Sequence, residues 1–175
     1  SRTKMTMMLA DLCRQITPVE AAYVSYFSLG ELNPVYIGTQ FNIADKTMIR
    51  VVASLLHESQ ADVEKRKKKV GDLGLVVAEG SWRRAGGDQL SIKDVHAALK
   101  ELHSISGTGA QEKKEELLLA LLKQLDPQSA KYVVRIILGK LRLGFSDMTL
   151  LDAFSWMYVG DKSLRDALEI AYNVS

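Results

Sequence analysis

The segment Gly139-Lys140-Leu141-Arg142-Leu143-Gly144 brackets two cations with two glycines. Glycine lets a backbone approach a ligand closely. In an extended turn, alternation sends Lys140 and Arg142 to one side and Leu141 and Leu143 to the other. Ser146 and Asp147 follow as a helix start, where unpaired N–H groups suit an anion. Together these groups fit phosphate oxygens met across a groove. The same residues equally describe a helix-ending glycine followed by a basic surface loop with buried leucines, and the segment alone leaves both readings open.

A second stretch has related chemistry. Ser106-Gly107-Thr108-Gly109-Ala110-Gln111 puts small residues before a helix, with Lys113 and Lys114 just inside it. Backbone amides at such a corner form an anion-binding concavity, which nearby ammonium groups strengthen. The competing reading is a helix–helix connection with a capping box from Thr108 to Gln111. Two such corners in one chain, both beside cations, shift the balance toward a phosphate backbone. The densest charge run is Glu64-Lys65-Arg66-Lys67-Lys68-Lys69. On a helix these cations point all round, so one face at most meets a polyanion, and a solvated helix end is an equal reading.

Other chemistries fail on spacing. Gly139-Lys140-Leu141 lacks the upstream glycine and the following Ser/Thr of a P-loop. His57-Glu58 has Ala61 where a zincin needs its second histidine. His96 and His103 could share a helix face, but no third metal ligand accompanies them. Lys69-Val70-Gly71-Asp72 has the wrong order for the Lys-x-Asp-Gly of nucleotidyl transfer. Cys13 falls on an apolar helix face, and Tyr23, Tyr26 and Phe27 read as core. Trp82, beside Arg83-Arg84 in a Gly-rich loop, is the candidate aromatic for contact with another protein.

Length and composition bound the elements that must position these residues. The chain has 175 residues, 47% hydrophobic and 25% charged, which suits one ordered globular domain. A net charge of +2 neither demands nor excludes a polyanionic partner. One cysteine rules out an intrachain disulfide and fits a reducing compartment. No apolar run is long enough for a transmembrane helix, and Asp11 and Arg14 interrupt any signal-peptide core. The chain starts Ser1-Arg2-Thr3 without an initiator methionine, as an excised fragment would.

Helical periodicity dominates, and period-two alternation is missing. Met5, Met8, Leu9, Leu12, Cys13 and Ile16 mark one face of a first helix. Thr17-Pro18-Val19-Glu20 opens a second that stops at Gly30. Further helices start at Asp45, about Gln60, Asp72, Ser91, Thr108, Asp126, Ser146 or Asp147, and Asp161. The expected fold is all-α, about ten short helices in one domain over 1–175.

The two halves also match. Moving the chain by 109 positions, which takes Pro18 onto Pro127, superposes Leu9, Leu12, Gln15, Pro18, Tyr23, Val24, Leu29, Gly30 and Leu32 on identical residues. After a gap, Asp45 meets Asp147. Copies at about 4–78 and 91–173, separated by the loop 79–90, suggest two helical lobes related by a pseudo-two-fold axis. The turn Gly30-Glu31-Leu32-Asn33 is acidic where Gly139-Lys140-Leu141-Arg142 is doubly basic. The charge there is therefore not a by-product of the fold.

These segments resemble a known family. Val70-Gly71-Asp72-Leu73-Gly74-Leu75-Val76, Leu138 to Gly144, and the Ser-Gly-Thr-Gly stretch within Ser104 to Gln111 are similar to signatures of the N-terminal DNA-binding domain of ATP-dependent DNA ligases, the archaeal and eukaryotic replicative type above all. The resemblance implies a non-catalytic domain that grips nicked double-stranded DNA across the minor groove during replication and repair. It also implies partner adenylation and oligonucleotide-binding (OB) domains in the same parent chain, which close a ring round the duplex. By motif position, Gly139, Lys140, Arg142 and Gly144 meet one DNA backbone, and Thr108, Gly109, Ala110, Gln111 and Lys114 the other.

The resemblance further implies no cofactor in this chain, with ATP and a divalent metal (Mg) held by the parent's catalytic domains. The parent would be cytoplasmic if archaeal and nuclear if eukaryotic. The counterpart of Thr108 would fall before residue 1, so the first residues of the usual domain are expected to be missing. A sliding clamp is a further candidate partner near 79–90, although the Gln-x-x-aliphatic-x-x-aromatic-aromatic pattern is not found there. The alternative function is a helical protein–protein interaction module docking through the Trp82 loop.

Overall fold

The structure, a computed structural model, describes residues 2–34, 37–82, 89–141 and 143–174. Among them are ten helices and no strand: α1 (Arg2–Gln15), α2 (Pro18–Leu29), α3 (Asp45–Leu56), α4 (Gln60–Val70), α5 (Leu73–Ala78), α6 (Ile92–Ser104), α7 (Ala110–Gln124), α8 (Pro127–Ile137), α9 (Asp147–Val159) and α10 (Arg165–Val174). The expected capping chemistry starts several of them. Thr17 N–H donates to Glu20 at 2.8 Å, and Ser91 N–H to Asp94 at 2.9 Å. Asp126 accepts from the amides of Gln128 and Ser129. Gly30, Gly71 and Gly160 leave their helices with φ of 78°, 76° and 78°, a conformation that costs other residues.

Two starts differ from the sequence reading. The N-cap of α7 is Gly109, with φ 74° and no side-chain cap, so Thr108 and Gln111 form no capping box. Asp161 does not begin α10. It folds a turn instead, accepting from Ser163 N–H at 2.8 Å, while Ser155 Oγ donates to the Asp161 carbonyl and accepts from Leu164 N–H. The helix begins only at Arg165.

The chain forms two compact units. In the first, α1, α2, α9 and α10 assemble. Thr6, Leu9, Ala10 and Cys13 of α1 are buried, and Leu150 and Ala153 of α9 pack with them. Relative to the expected stripe, the buried face of α1 is rotated: Ala10 is inside, whereas Met8 and Leu12 stay exposed. Small residues at Ala10, Cys13 and Ala153 suit close helix approach. The Arg14 guanidinium donates to the carbonyls of Trp156 and Met157 in the last turn of α9, where the Trp156 carbonyl also accepts from Gly160 N–H at 3.1 Å. Buried Asp152 accepts from Lys162 at 2.6 Å and from Arg165, tying α10 to α9.

The second unit holds α3 to α8. Helix α3 is buried on most of its surface, with Met48, Ile49, Val51, Val52, Leu55 and Leu56 inside, and packs on α7, α4 and α5. Helix α5 packs on α8. Asp72 caps α5 through the amides of Gly74 (2.6 Å) and Leu75 (3.2 Å), and also pairs with Arg135 of α8 at 2.7 Å. A Cβ on Gly74 would stand 2.8 Å from the Lys131 carbonyl oxygen, so glycine is what permits this approach. The Val70 to Val76 signature is thus a cap, a left-handed exit and a close helix contact.

The packing is reciprocal with respect to the sequence copies. By the residue matches, α1, α2 and α3 correspond to α7, α8 and α9. Helix α1 packs on α9, and α7 packs on α3. Helix α4 packs on α3, and α10 on α9. Each unit therefore combines opening helices of one copy with closing helices of the other. The compact units are cut across the copies 4–78 and 91–173 rather than between them.

Candidate nucleic-acid interface

Within the second unit, two of the proposed contact regions close on one place, the first turn of α3. Helix α8 ends in a Schellman arrangement: Gly139 N–H donates to the Ile136 carbonyl at 3.0 Å and Lys140 N–H to the Arg135 carbonyl at 2.8 Å, with Gly139 at φ 63°. The exposed Lys140 side chain then reaches Asp45, its Nζ 2.8 and 3.1 Å from the two carboxylate oxygens. Lys67, from the last turn of α4, donates to the same carboxylate at 2.7 Å. The hydrogen bonds from Lys140 and Lys67 hold the Asp45 carboxyl below the usual carboxylate range, against a smaller opposing effect of burial.

The other corner arrives two residues further along the same first turn of α3, at Thr47. Gly107 and Gly109 adopt φ of 87° and 74°, and exposed Thr108 lies between them. Half-buried Ala110 opens α7. The Gln111 amide donates to Thr47 Oγ1 at 2.6 Å, and Thr47 also accepts from Arg50 at 3.3 Å. Arg50 in turn forms an ion pair with Glu115 of α7. The structure thus brings Gln111 and Lys140 to the α3 start, on Thr47 and Asp45.

Lys114 is a correction. It is 4% exposed, and its ammonium donates to the Phe41 carbonyl at 2.7 Å. It belongs to the buried stripe Lys114, Leu118, Leu121, Leu122, so the helical period itself turns it inward, away from any external phosphate. Arg142 lies outside the described residues. Gly144, in the first unit, takes φ 74°. The cation run of α4 is divided in use: Arg66 pairs with Glu58 and donates to the Val76 carbonyl, Lys67 meets Asp45, and Lys65, Lys68 and Lys69 are exposed.

Trp82 is not presented outward as expected. It is half-buried, and its indole N–H donates to the Val77 carbonyl at 2.9 Å; residues 83–88 of that loop lie outside the described residues. Cys13 is buried, as expected. His96 is buried with Nε2 2.9 Å from the Leu32 carbonyl, and His103 packs its ring against Phe41. Among the described residues, no group of three or more His, Cys, Asp or Glu side chains could hold a metal ion, and no helix is long and apolar enough to cross a membrane. A groove of about 610 Å³ runs between residues 39–44 and 136–139, lined by Phe41, Ile43, Ile136 and Ile137.

Sequence reasoning missed Asp45, Thr47 and Lys67. Asp45 read only as a helix start and Lys67 only as one of a run. Their pairing spans 22 residues, and that of Asp45 with Lys140 spans 95, so no local pattern announces either.

The helical scaffold and its glycine corners define the class of domain. The chain belongs to the family described as DNA ligase N terminus, whose model matches residues 1–155. Among its relatives, DNA ligase 2 of Thermofilum pendens is 37% identical over 183 aligned positions, covering 98% of this chain and 30% of that protein. A probable DNA ligase of Persephonella marina is 35% identical over 179 positions, covering 100% of this chain and 30% of that protein. DNA ligase 1 of Methanosarcina acetivorans is 39% identical over 150 positions, covering 86% and 26%. The chain spans less than a third of the length of these curated relatives.

Proposed function

We propose that this chain is the non-catalytic DNA-binding domain of an ATP-dependent DNA ligase and grips nicked duplex through sugar–phosphate contacts in the minor groove. The observation that carries the reading is the convergence of Gln111 and Lys140 on the first turn of α3, in a chain of the ligase N-terminal family. Backbone contacts of this kind position a protein without reading sequence, so binding is tolerant of base identity. Thr108, Gly109, Ala110 and Gln111 form one contact set, and Gly139, Lys140, Arg142 and Gly144 another. Lys114 is left out because its ammonium is spent on Phe41. ATP, the divalent metal and the bond-forming step belong to the parent's adenylation and OB domains. Those domains and the nicked duplex are the proposed partners. The proposed location is cytoplasmic for an archaeal parent and nuclear for a eukaryotic one.

The test is affinity for a labelled nicked duplex at several salt concentrations. Each phosphate engaged adds about −0.9 to the slope of log K against log salt. The double variant Lys140→Ala, Arg142→Ala should flatten the slope by about 1.8 for two lost contacts. A flat wild-type dependence, or an unchanged slope in the folded double variant, refutes the assignment.

A further inference from the structure

The Asp45 triad contains one negative charge and two positive ones. Lys67 comes from α4, Lys140 from the turn after α8, and both ammonium groups sit within 3.1 Å of a single carboxylate. Charge-assisted N–H···O contacts have similar lengths to carboxylate and phosphate oxygens. Two ammonium groups gathered on one carboxylate are therefore also gathered at a spacing that suits one phosphate. The side chains of Lys140 and Asp45 are 51% and 41% exposed, so an external anion can reach them. Lys65, Lys68 and Lys69, on the exposed side of α4, form no ion pair with an acid among the described residues and raise the local positive potential. The Lys140–Asp45 pair is exposed, and such pairs contribute only about 0–1 kcal/mol to folding; the Lys67 side chain is 25% exposed.

We infer that Asp45 is a built-in stand-in for a DNA phosphate, holding Lys67 and Lys140 as a two-ammonium clamp and yielding them to the backbone when duplex binds. The inference rests on the DNA-binding reading above and adds to it a contact residue, Lys67, and a competitor, Asp45. The carboxylate keeps the two flexible side chains together in the free protein, which lowers the ordering cost on binding. It also opposes binding, because the incoming phosphate must displace it. Removing its charge while keeping its shape should strengthen DNA binding, whereas removing either lysine should weaken it.

The experiment is fluorescence anisotropy of a labelled nicked duplex with the 175-residue chain, its Asp45→Asn and Lys67→Ala variants, and the double variant, across a salt series. Lys67→Ala should weaken binding about three- to tenfold and flatten the slope by about 0.9. Asp45→Asn should tighten binding by a similar factor, and Lys67→Ala in the same chain should abolish most of that gain. Thermal unfolding of each variant checks the fold; should Asp45→Asn not fold, the Lys67→Ala slope decides alone. Wild-type binding with a clear slope, together with unchanged or weaker binding in folded Asp45→Asn, overturns the stand-in and leaves the DNA-binding reading intact. So does a Lys67→Ala slope equal to wild type. No salt-dependent binding by the wild type sinks both.

Discussion

Gly74 is where the packing of the second unit can be tested most sharply. It lies inside α5, where alanine would ordinarily gain about 1 kcal/mol of helix propensity. Against that, the added Cβ would stand 2.8 Å from the Lys131 carbonyl oxygen, 3.0 Å from Asp72 Oδ1 and 3.1 Å from Arg135 Cγ. The nearest atom is backbone in the middle of α8, which cannot rotate aside. The other two belong to the Asp72–Arg135 ion pair that fastens α5 to α8. Overpacking of this kind costs about 1–3 kcal/mol, and a rigid backbone neighbour puts this site toward the upper end. The net expectation for Gly74→Ala is a loss of about 1–2 kcal/mol, which for a chain of this size lowers Tm by about 2–8 °C. Gly80→Ala is the comparison. Its Cβ would meet Leu56 Cδ2, but that methyl ends a flexible side chain, so the loss should be smaller. Thermal unfolding followed by circular dichroism measures both. A Gly74→Ala chain as stable as wild type, or more stable, would refute the claim that close helix approach requires glycine here.

Lys114→Met keeps the buried stem but strands the Phe41 carbonyl; it should cost about 1–3 kcal/mol of stability while leaving the salt slope of DNA binding unchanged, and the reverse pattern would restore Lys114 to the interface. The carboxyls of Asp72 and Asp152 are both pushed up by burial, but their hydrogen bonds to Arg135 and to Arg165 and Lys162, with the α5 amides at Asp72, outweigh it and leave both below the usual range. A lowered carboxyl stabilises the fold above the unfolded pKa of about 4 and loses that contribution as pH falls through the folded value. Tm should therefore stay level from about pH 7 to 5 and drop below about pH 4; a decline already complete by pH 5 would contradict it. In Asp152→Asn, α10 loses its charged anchor, and amide exchange along it should quicken about tenfold or more, with α3 and α7 unchanged. Protection in α10 equal to wild type would show that the anchor contributes little.

Much of the scaffold is legible because its signals are local. Pro18 and Pro127 at helix starts, Gly30, Gly71 and Gly160 at left-handed exits, and the Thr17 and Ser91 caps each act within four residues. The same locality exposes the duplication. The errors are also instructive. The inward turn of Lys114 was present in the spacing of Lys114, Leu118, Leu121 and Leu122, but a lysine beside a glycine corner suggested solvent. Thr108 has the right residue type for a cap, yet the left-handed Gly109 takes that position and frees Gln111 to reach Thr47.

What the sequence determined by itself is the all-helical character and the places where most of the helices begin and end. Those follow from backbone sterics, capping and apolar period, which act over a turn or two of chain. Only the tertiary structure decided that each compact unit draws its helices from both ends of the residue match, that Asp45 gathers Lys67 and Lys140, and that Trp82 is turned back onto the end of α5. Those outcomes depend on which apolar faces find each other and on charges brought together from distant segments, and a linear pattern does not contain that information.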